Sequence, residues 1–188
     1  MLKELLSKPS VDIADISATL DALDEATLVN ETRTLGLKEQ GVLYKAAKGF
    51  RQWTLEDMVP SINPAGKLVF HAGKNTLPAF SHFQKRFARP TPESKELWGF
   101  NEHTFRFVTG PGYFLARDSD GEVLVDYNHV PPSTPAGWPK VHPNTGLNSL
   151  TYGKMIDTLR GVSRRVSIGH ADRQGKSMGY FVLVRLGG

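Results

Sequence analysis

The chain contains no cysteine, and this absence removes several classes of protein from consideration. Disulfide bonds, thiolate zinc sites, iron–sulfur clusters and cysteine nucleophiles all require thiols. No apolar run approaches the roughly 18 residues of a membrane span, and the N-terminal segment lacks the apolar core of a signal peptide. We therefore expect no membrane partner and a cytoplasmic location, because a chain without cysteine fits a reducing compartment.

Motifs for the common cofactors and for nucleic acid are also missing. The chain has no glycine-rich nucleotide loop, no Gly-x-Ser-x-Gly elbow and no His-Glu-x-x-His zinc motif. Its six histidines include no two within four residues of each other, so no local pair of metal ligands exists. Neither an RRM signature nor zinc-finger spacing occurs. We predict no cofactor, no metal and no nucleic-acid partner.

Charge divides the chain into two regions. Residues 1–40 contain 4 basic and 8 acidic side chains, which leaves 19 of the 23 basic and 11 of the 19 acidic ones for the remainder. The length of 188 residues suits a single domain over 1–188, with an acidic helical segment at 1–50 and a basic β-rich body at 67–188. This asymmetry is typical of an acidic arm lying on a basic body or of a basic surface with an anionic partner, but ordinary surface solubility is the plainer and favoured explanation.

Apolar residues at spacings of three and four predict short amphipathic helices in the first third. The first helix spans 11–23, with Ser10 as its cap. The second spans 25–35, between the cap Asp24 and Gly36, and the third spans 37–48. Residues 54–57 predict one capped turn. Two further helices are predicted later, over 78–88 from the spacing of three phenylalanines and over 149–160 from a Ser149 cap.

Alternating apolar residues predict the strands, which are linked mostly by hairpins. The predicted strands span 67–71, 104–108, 113–117, 122–127, 162–170 and 178–186. The last of them is apolar on both faces, which indicates a central strand. We predict an α+β fold in which short N-terminal helices pack on a mostly antiparallel, strongly curved sheet, or partly open β-barrel, of about six strands.

Three candidate catalytic residues lie at predicted strand ends. His71 and Lys74 follow the first strand, and His170 lies near the turn of the final hairpin. A histidine base beside a cation would suit an anionic or carbonyl-bearing substrate. Polar turn residues would produce the same pattern without any catalytic function.

The candidate ligand-binding residues are Arg164, Asn75, Tyr180 and Trp138. Arg164 shares a predicted strand face with apolar side chains, so it would need an anion. That anion could be a structural carboxylate such as Asp126 or the carboxylate of a ligand. Trp138 would anchor the proline-rich loop 128–143, which lies where we expect the mouth of a pocket.

Three functional hypotheses fit this pattern. The first is a ligand-binding domain whose apolar, aromatic pocket holds a small anionic or carboxylate-bearing molecule, since the chain has 10 phenylalanines and 3 tryptophans. The second is a cofactor-independent enzyme using histidine acid–base chemistry. The third is a protein-interaction module that forms a homodimer or binds a partner through its N-terminal helices.

Overall fold

Five short helices begin the chain in the computed structural model, which describes residues 1–78, 81–102, 111–143 and 152–187. The helices are α1 (Leu2–Ser7), α2 (Ile13–Asp21), α3 (Glu25–Arg33), α4 (Leu37–Ala46) and α5 (Leu55–Met58). Aspartate carboxylates cap two of them: Asp12 accepts from the Ala14 amide at 2.9 Å, and Asp24 accepts from the Thr27 amide at 3.0 Å. Asp12 rather than the predicted Ser10 therefore begins α2. Within these described ranges no helix is both long and apolar enough to span a bilayer.

Eight antiparallel strands follow and close into a barrel in which each strand pairs with its sequence neighbours and β8 pairs with β1. The strands are β1 (Val69–Asn75), β2 (His82–Ala88), β3 (Leu97–Glu102), β4 (Tyr113–Ser119), β5 (Glu122–Asp126), β6 (Met155–Gly161), β7 (Val166–Arg173) and β8 (Lys176–Arg185). The predicted α+β class, the antiparallel curved sheet and the central position of the last strand are confirmed. The barrel is closed, and it has eight strands instead of about six.

Two predicted helices were wrong. Residues 82–88 of the helix predicted over 78–88 form strand β2, and residues 155–160 of the helix predicted over 149–160 belong to strand β6. Strand β3, at 97–102, was not predicted, nor was α1. The strand predicted over 104–108 lies outside the described residues.

Alternation along β2 explains why this segment is a strand. Phe83, Lys85 and Phe87 point into the barrel, where Phe87 is fully buried and pairs with Val69 on β1. Gln84 and Arg86 point outward. The pairing of β2 with both β1 and β3 supplies backbone hydrogen bonds along its length, which outweighs a helical spacing of phenylalanines.

Two apolar layers lie outside the barrel wall. The N-terminal helices pack against outward residues of β7 and β8, and the buried contacts include Leu20, Leu43, Ile168 and Val182. On another part of the wall, Trp138 packs over outward residues of β2–β4. The N-terminal helices and the loop with Trp138 therefore cover part of the outer surface of the sheet, while a separate cluster of buried apolar side chains lies inside the barrel.

Helix α5 and the preceding Trp53 plug one end of the barrel. The fully buried Trp53 donates its backbone N–H to the Gly121 carbonyl at 2.8 Å, and the Arg89 guanidinium donates to the Val59 carbonyl at 2.9 Å. We call this the plugged end. The opposite end, where the connections β1–β2, β3–β4, β5–β6 and β7–β8 lie, is the distal end.

Inward-facing glycines make room for aromatic rings inside the barrel. Gly73, Gly99 and Gly169 are paired in register with Phe83, Phe114 and Phe181. A Cβ atom on any of them would lie only 2.2 to 2.6 Å from a ring atom of its partner. Each ring therefore lies against the backbone of the neighbouring strand, where a side chain would otherwise stand.

We expect Gly169→Ala to lower the free energy of unfolding by about 1–3 kcal/mol, the usual cost of overpacking. The added methyl group would meet ring atoms of Phe181 at 2.2 Å. In a Phe181→Leu background the same substitution should cost less, because the ring is gone. Urea unfolding of the four proteins measures both values, and an equal loss in the two backgrounds would contradict the ring-on-glycine packing.

Candidate functional site

Four polar side chains meet inside the barrel, in an interior that is otherwise mostly apolar. Lys85 on β2, Asn101 on β3, Tyr127 directly after β5 and Asp157 on β6 form this group, which we call the Lys85 cluster. Alternate side chains of a strand point to opposite faces of the sheet, and Lys85, Asn101 and Asp157 lie at inward positions of their strands. Tyr127 continues the inward series of Val123 and Val125 on β5. Four different parts of the chain are thus needed to build the group.

Hydrogen bonds connect every member of the Lys85 cluster. The Lys85 ammonium donates to Asp157 Oδ2 at 2.9 Å, to Asn101 Oδ1 at 3.2 Å and to the Tyr127 hydroxyl. Tyr127 donates to Asp157 Oδ2 at 3.1 Å and accepts from Asn101 Nδ2 at 3.0 Å. All three ammonium protons are used, so the cation is fully hydrogen-bonded despite its burial.

Burial controls the ionisation of this cluster. The side chains of Lys85 and Asp157 are each only 2% exposed. Burial lowers the pKa of Lys85, while the neighbouring Asp157 opposes that shift. Burial also raises the pKa of Tyr127 well above its ordinary value, with the Asp157 charge adding to the effect. The pKa of the nearby Tyr152 rises to about 12, again chiefly through burial.

Aromatic rings surround the Lys85 ammonium. Its nitrogen lies 4.9 Å from the centre of the Phe114 ring, 4.8 Å from that of Tyr127 and 5.0 Å from that of Phe181. The faces of such rings attract a cation. Lys85 is therefore held both by oxygen acceptors and by an aromatic wall.

One atom of the cluster is unpartnered. Asp157 Oδ1 is buried and has no hydrogen-bond partner among the described residues. A buried carboxylate oxygen without a donor is costly. This oxygen is therefore an available acceptor inside the barrel.

The interior becomes less buried toward the distal end. Phe83 lies near the start of β2, Met155 begins β6, and Ala171 lies near the end of β7, and all three pack on the interior core while only partly buried. Asp157 pairs in register with Ala171. The Lys85 cluster thus lies on the distal side of the core, next to its more exposed side chains.

The distal end is poor in acidic side chains by sequence. The described residues of its four connections, 76–78, 81, 111–112, 127–143, 152–154 and 174–175, contain no Asp or Glu and two lysines, Lys140 and Lys154. Two acidic residues at the strand ends there form ion pairs: Glu102 pairs with Arg86 at 3.4 Å, and Asp126 pairs with Arg117 at 3.2 Å. A third, Asp172, accepts a hydrogen bond from a turn amide. The described connections at this end therefore contain more basic than acidic side chains.

His71, the first predicted catalytic residue, also lies inside the barrel but outside this hydrogen-bonded cluster. It is fully buried, donates from Nε2 to the Met58 carbonyl at 3.0 Å and packs edge-on to Phe87. Burial lowers the pKa of His71 to about 3. The imidazole is thus neutral at neutral pH and fixes α5 to the wall.

His170 and Tyr180 lie on the opposite face of the sheet, under α4. Their rings are 5.2 Å apart and both pack against Tyr44 at 5.5 Å. His170 also hydrogen-bonds the Ser177 hydroxyl at 2.8 Å. The barrel wall therefore separates His71 from His170, and the two histidines do not share a cavity.

Lys74 and Asn75 end β1 on the distal side, where the Lys74 carbonyl accepts from Gln40 Nε2 at 3.3 Å. The Lys74 ammonium donates to the Asn75 carbonyl at 2.9 Å, and Asn75 Oδ1 accepts from the Leu77 amide at 3.0 Å. Burial lowers the pKa of Lys74. Both side chains are thus hydrogen-bonded to neighbouring residues at the end of β1.

Arg164 is in the β6–β7 turn, where its side chain is 72% exposed and pairs with Asp21 at 3.2 Å. The alternating strand face assigned to it begins only at Val166. Asp126, the proposed structural partner, instead pairs with Arg117 and with His129. Arg164 therefore ties the helical segment to the barrel and does not face the interior.

Trp138 lies in the long loop after β5, as expected, but on the outer wall. It packs edge-on to Phe100 with ring centres 4.9 Å apart, and it is mostly buried. Phe100 is an outward residue of β3. Trp138 thus anchors the loop without touching the Lys85 cluster.

A cleft lies outside the barrel at the plugged end. This cleft encloses about 480 Å³ and is lined in part by Arg89, Glu56 and Leu55. The Arg89 guanidinium is occupied by the carbonyls of α5 and by Glu56 at 3.4 Å. Its main charge is thus already used to hold α5, which makes the barrel interior the stronger candidate.

The Lys85 cluster was missed because β2 and β6 were predicted as helices. With a helical spacing, Lys85 falls on a basic solvated face. With a strand spacing, it falls between Phe83 and Phe87 on an apolar face, where a lysine requires a partner. The alternation of residues 83–87 was the available signal.

No protein-family model matches this sequence, and a search of curated proteins finds no match. Across the described ranges, no three histidine, aspartate or glutamate side chains are grouped to hold a metal ion. The chemistry of the barrel interior is therefore the basis for a proposed function.

Proposed function

We propose that this protein binds a small amphipathic molecule in the distal half of its barrel. The observation that carries the proposal is the unpartnered, buried Asp157 Oδ1 within the Lys85 cluster. A ligand hydroxyl or amide that donates to this oxygen would satisfy it. Barrels of eight strands have an interior wide enough either to be filled by side chains or to hold one small ligand.

The surroundings of the cluster suit an apolar ligand body. Phe83, Met155 and Ala171 line its distal side and are only partly buried. Pockets of small-molecule-binding proteins typically combine such apolar walls with a few convergent polar groups. The Lys85 cluster would fix the orientation of the ligand in this proposal.

The charge of the distal end favours a ligand with an anionic group, such as a carboxylate. The described residues of the distal connections contain two lysines and no Asp or Glu, whereas the plugged-end connections 89–96, 120–121 and 162–165 contain three acidic and four basic residues. An anion at the distal end would be attracted by this field, while the apolar body enters the barrel. We also propose a cytoplasmic location, from composition alone.

The alternative functions receive less support from the geometry. Histidine acid–base chemistry would require His71 to exchange protons, yet it is buried and donates to the Met58 carbonyl. A dimer through the N-terminal helices would require an uncovered apolar face. Leu2, Leu20 and Leu43 are instead buried against the same chain.

Ligand-induced thermal stabilisation tests the proposal with two libraries, medium-chain fatty acids and aromatic acids. A ligand at about 100 times its Kd should stabilise the protein by about 2.7 kcal/mol. Met155→Trp should abolish that stabilisation, because Met155 faces inward at the distal side. Ile156→Trp is the matched control, since Ile156 is 39% exposed on the outer face of the same strand.

Two results would overturn the proposal. One is the absence of stabilisation by any member of either library. The other is an equal loss of stabilisation in both tryptophan variants, which would place the binding site outside the barrel.

A further inference from the structure

The Lys85 amine differs from the other described lysines in its surroundings. It is fully buried, and three aromatic rings lie within about 5 Å of its nitrogen. A phenol and a carboxylate contact the same nitrogen. A primary amine that reacts with a carbonyl compound acts as the nucleophile and needs a proton donor and a proton acceptor beside it. It also needs surroundings that exclude water.

We propose that Lys85 captures an aldehyde or ketone ligand as a Schiff base, with Asp157 as counter-ion and Tyr127 as proton-transfer residue. The inference rests on the proposed ligand-binding function and specifies its chemistry. It assigns the carbonyl group of the ligand to the Lys85 cluster and the apolar body to the distal half of the barrel.

The reaction begins with loss of one ammonium proton from Lys85 to the Asp157 carboxylate, whose Oδ1 is unpartnered. The nitrogen lone pair then attacks the carbonyl carbon, a C–N bond forms, and the oxygen takes a proton to give a carbinolamine. Tyr127 can deliver that proton, because its hydroxyl contacts Lys85 and donates to Asp157. The attacking nitrogen loses a proton to the Tyr127 oxygen, which restores the phenol. The hydroxyl group then leaves as water with the proton that Asp157 took from Lys85 while the C=N bond forms, so the product is a protonated imine beside an Asp157 carboxylate.

The positively charged product suits the same surroundings as the Lys85 ammonium. A protonated imine carries the same positive charge as the original ammonium, so the overall reaction exchanges one carbonyl oxygen for nitrogen and releases one water. Asp157 and the surrounding rings can stabilise either cation. The lowering of the Lys85 pKa by burial supports the first step, because only the neutral amine is nucleophilic.

Reductive trapping tests this inference on the full-length protein. Benzaldehyde and cyanoborohydride would be added at neutral pH, and peptide mass spectrometry would compare modification of all 12 lysines. We expect Lys85 to be modified roughly tenfold faster than exposed lysines, because its neutral fraction is larger. Benzyl alcohol, which lacks the carbonyl but keeps the ring, should protect Lys85 alone.

Variants separate the chemistry from the folding role of the cluster. Lys85→Arg keeps a cation without a primary amine and should remove the fast modification while leaving the other lysines unchanged. Tyr127→Phe should slow trapping at Lys85 but retain the thermal stabilisation given by benzyl alcohol. If Lys85→Arg fails to fold, protection of the wild-type protein by benzyl alcohol still reports on Lys85.

The possible failures are distinguishable. If benzyl alcohol stabilises the protein but benzaldehyde modifies only exposed lysines, the Schiff-base inference is wrong and the binding function stands. If neither the acid libraries nor benzyl alcohol stabilise the protein and Lys85 is unreactive, both proposals fail. Fast modification of Lys85 that benzyl alcohol does not slow would also overturn the inference, since the reaction would not use the proposed site.

Discussion

Replacing Lys85 by alanine is expected to lower the free energy of unfolding by about 3–5 kcal/mol. The substitution leaves the Asp157 carboxylate buried without its cation, and it removes a donor from Tyr127 and from Asn101. An uncompensated buried charge costs far more than the loss of a surface ion pair. Urea unfolding, with the slope on denaturant checked for constancy, measures the effect.

Two comparisons sharpen this prediction. Lys8→Ala, which breaks the half-exposed pair with Asp15 at 3.7 Å, should cost less than about 1 kcal/mol. The double variant Lys85→Met with Asp157→Leu should recover most of the lost stability, because neither charge of this pair then remains in the interior. A Lys85→Ala protein as stable as the Lys8→Ala control would show that the cluster is not buried in solution.

Tertiary pairing explains why the class of fold was predictable while two of its elements were not. The final hairpin alternates clearly, and its last strand is apolar on both faces because helices cover one side and the barrel core the other. In the sequence from 80 to 87, by contrast, Phe80, Phe83 and Phe87 satisfy a helical spacing, while Phe83, Lys85 and Phe87 satisfy a strand spacing. Pairing with β1 and β3, which no local pattern reveals, decides between them.

The candidate site was harder to predict than the fold, because its members come from distant strands. Lys85 and Asp157 are 72 residues apart, and barrel closure brings them to 2.9 Å. A lysine and an aspartate in separate segments carry no local signal of pairing. The residues that did attract attention, such as His71 and Arg164, have ordinary structural partners in Met58 and Asp21.

The pH dependence of stability is the second large expected effect, and His71 is its source. The pKa of this imidazole falls from 6.5 to about 3 in the folded protein, chiefly through burial. Between these two pH values the unfolded chain binds a proton that the folded chain does not. Stability is therefore complete above the unfolded pKa and declines as pH falls, by about 1.4 kcal/mol per pH unit. At about pH 4.5 the loss from this residue should reach about 2–3 kcal/mol.

His71→Gln provides the matched comparison. A glutamine amide can donate to the Met58 carbonyl in place of Nε2, but it does not titrate. Carboxylates whose pKa is lowered by folding, such as Asp126, are present in both proteins, so the difference between their unfolding curves isolates His71. We expect that difference to change by about 2–3 kcal/mol between neutral pH and about pH 4.5. Parallel pH profiles would contradict a neutral, buried His71.

The pH profiles of the wild-type and His71→Gln proteins also bear on which residue inside the barrel can take protons from a substrate. A histidine that stays neutral down to about pH 3, with its N–H committed to a carbonyl, is too weak a base to take protons from a substrate at neutral pH. Lys85 differs, because its nitrogen contacts both a phenol and a carboxylate that has one unpartnered oxygen. A steep His71-dependent profile would therefore assign a structural role to His71, while the chemistry proposed for Lys85 is tested separately by reductive trapping.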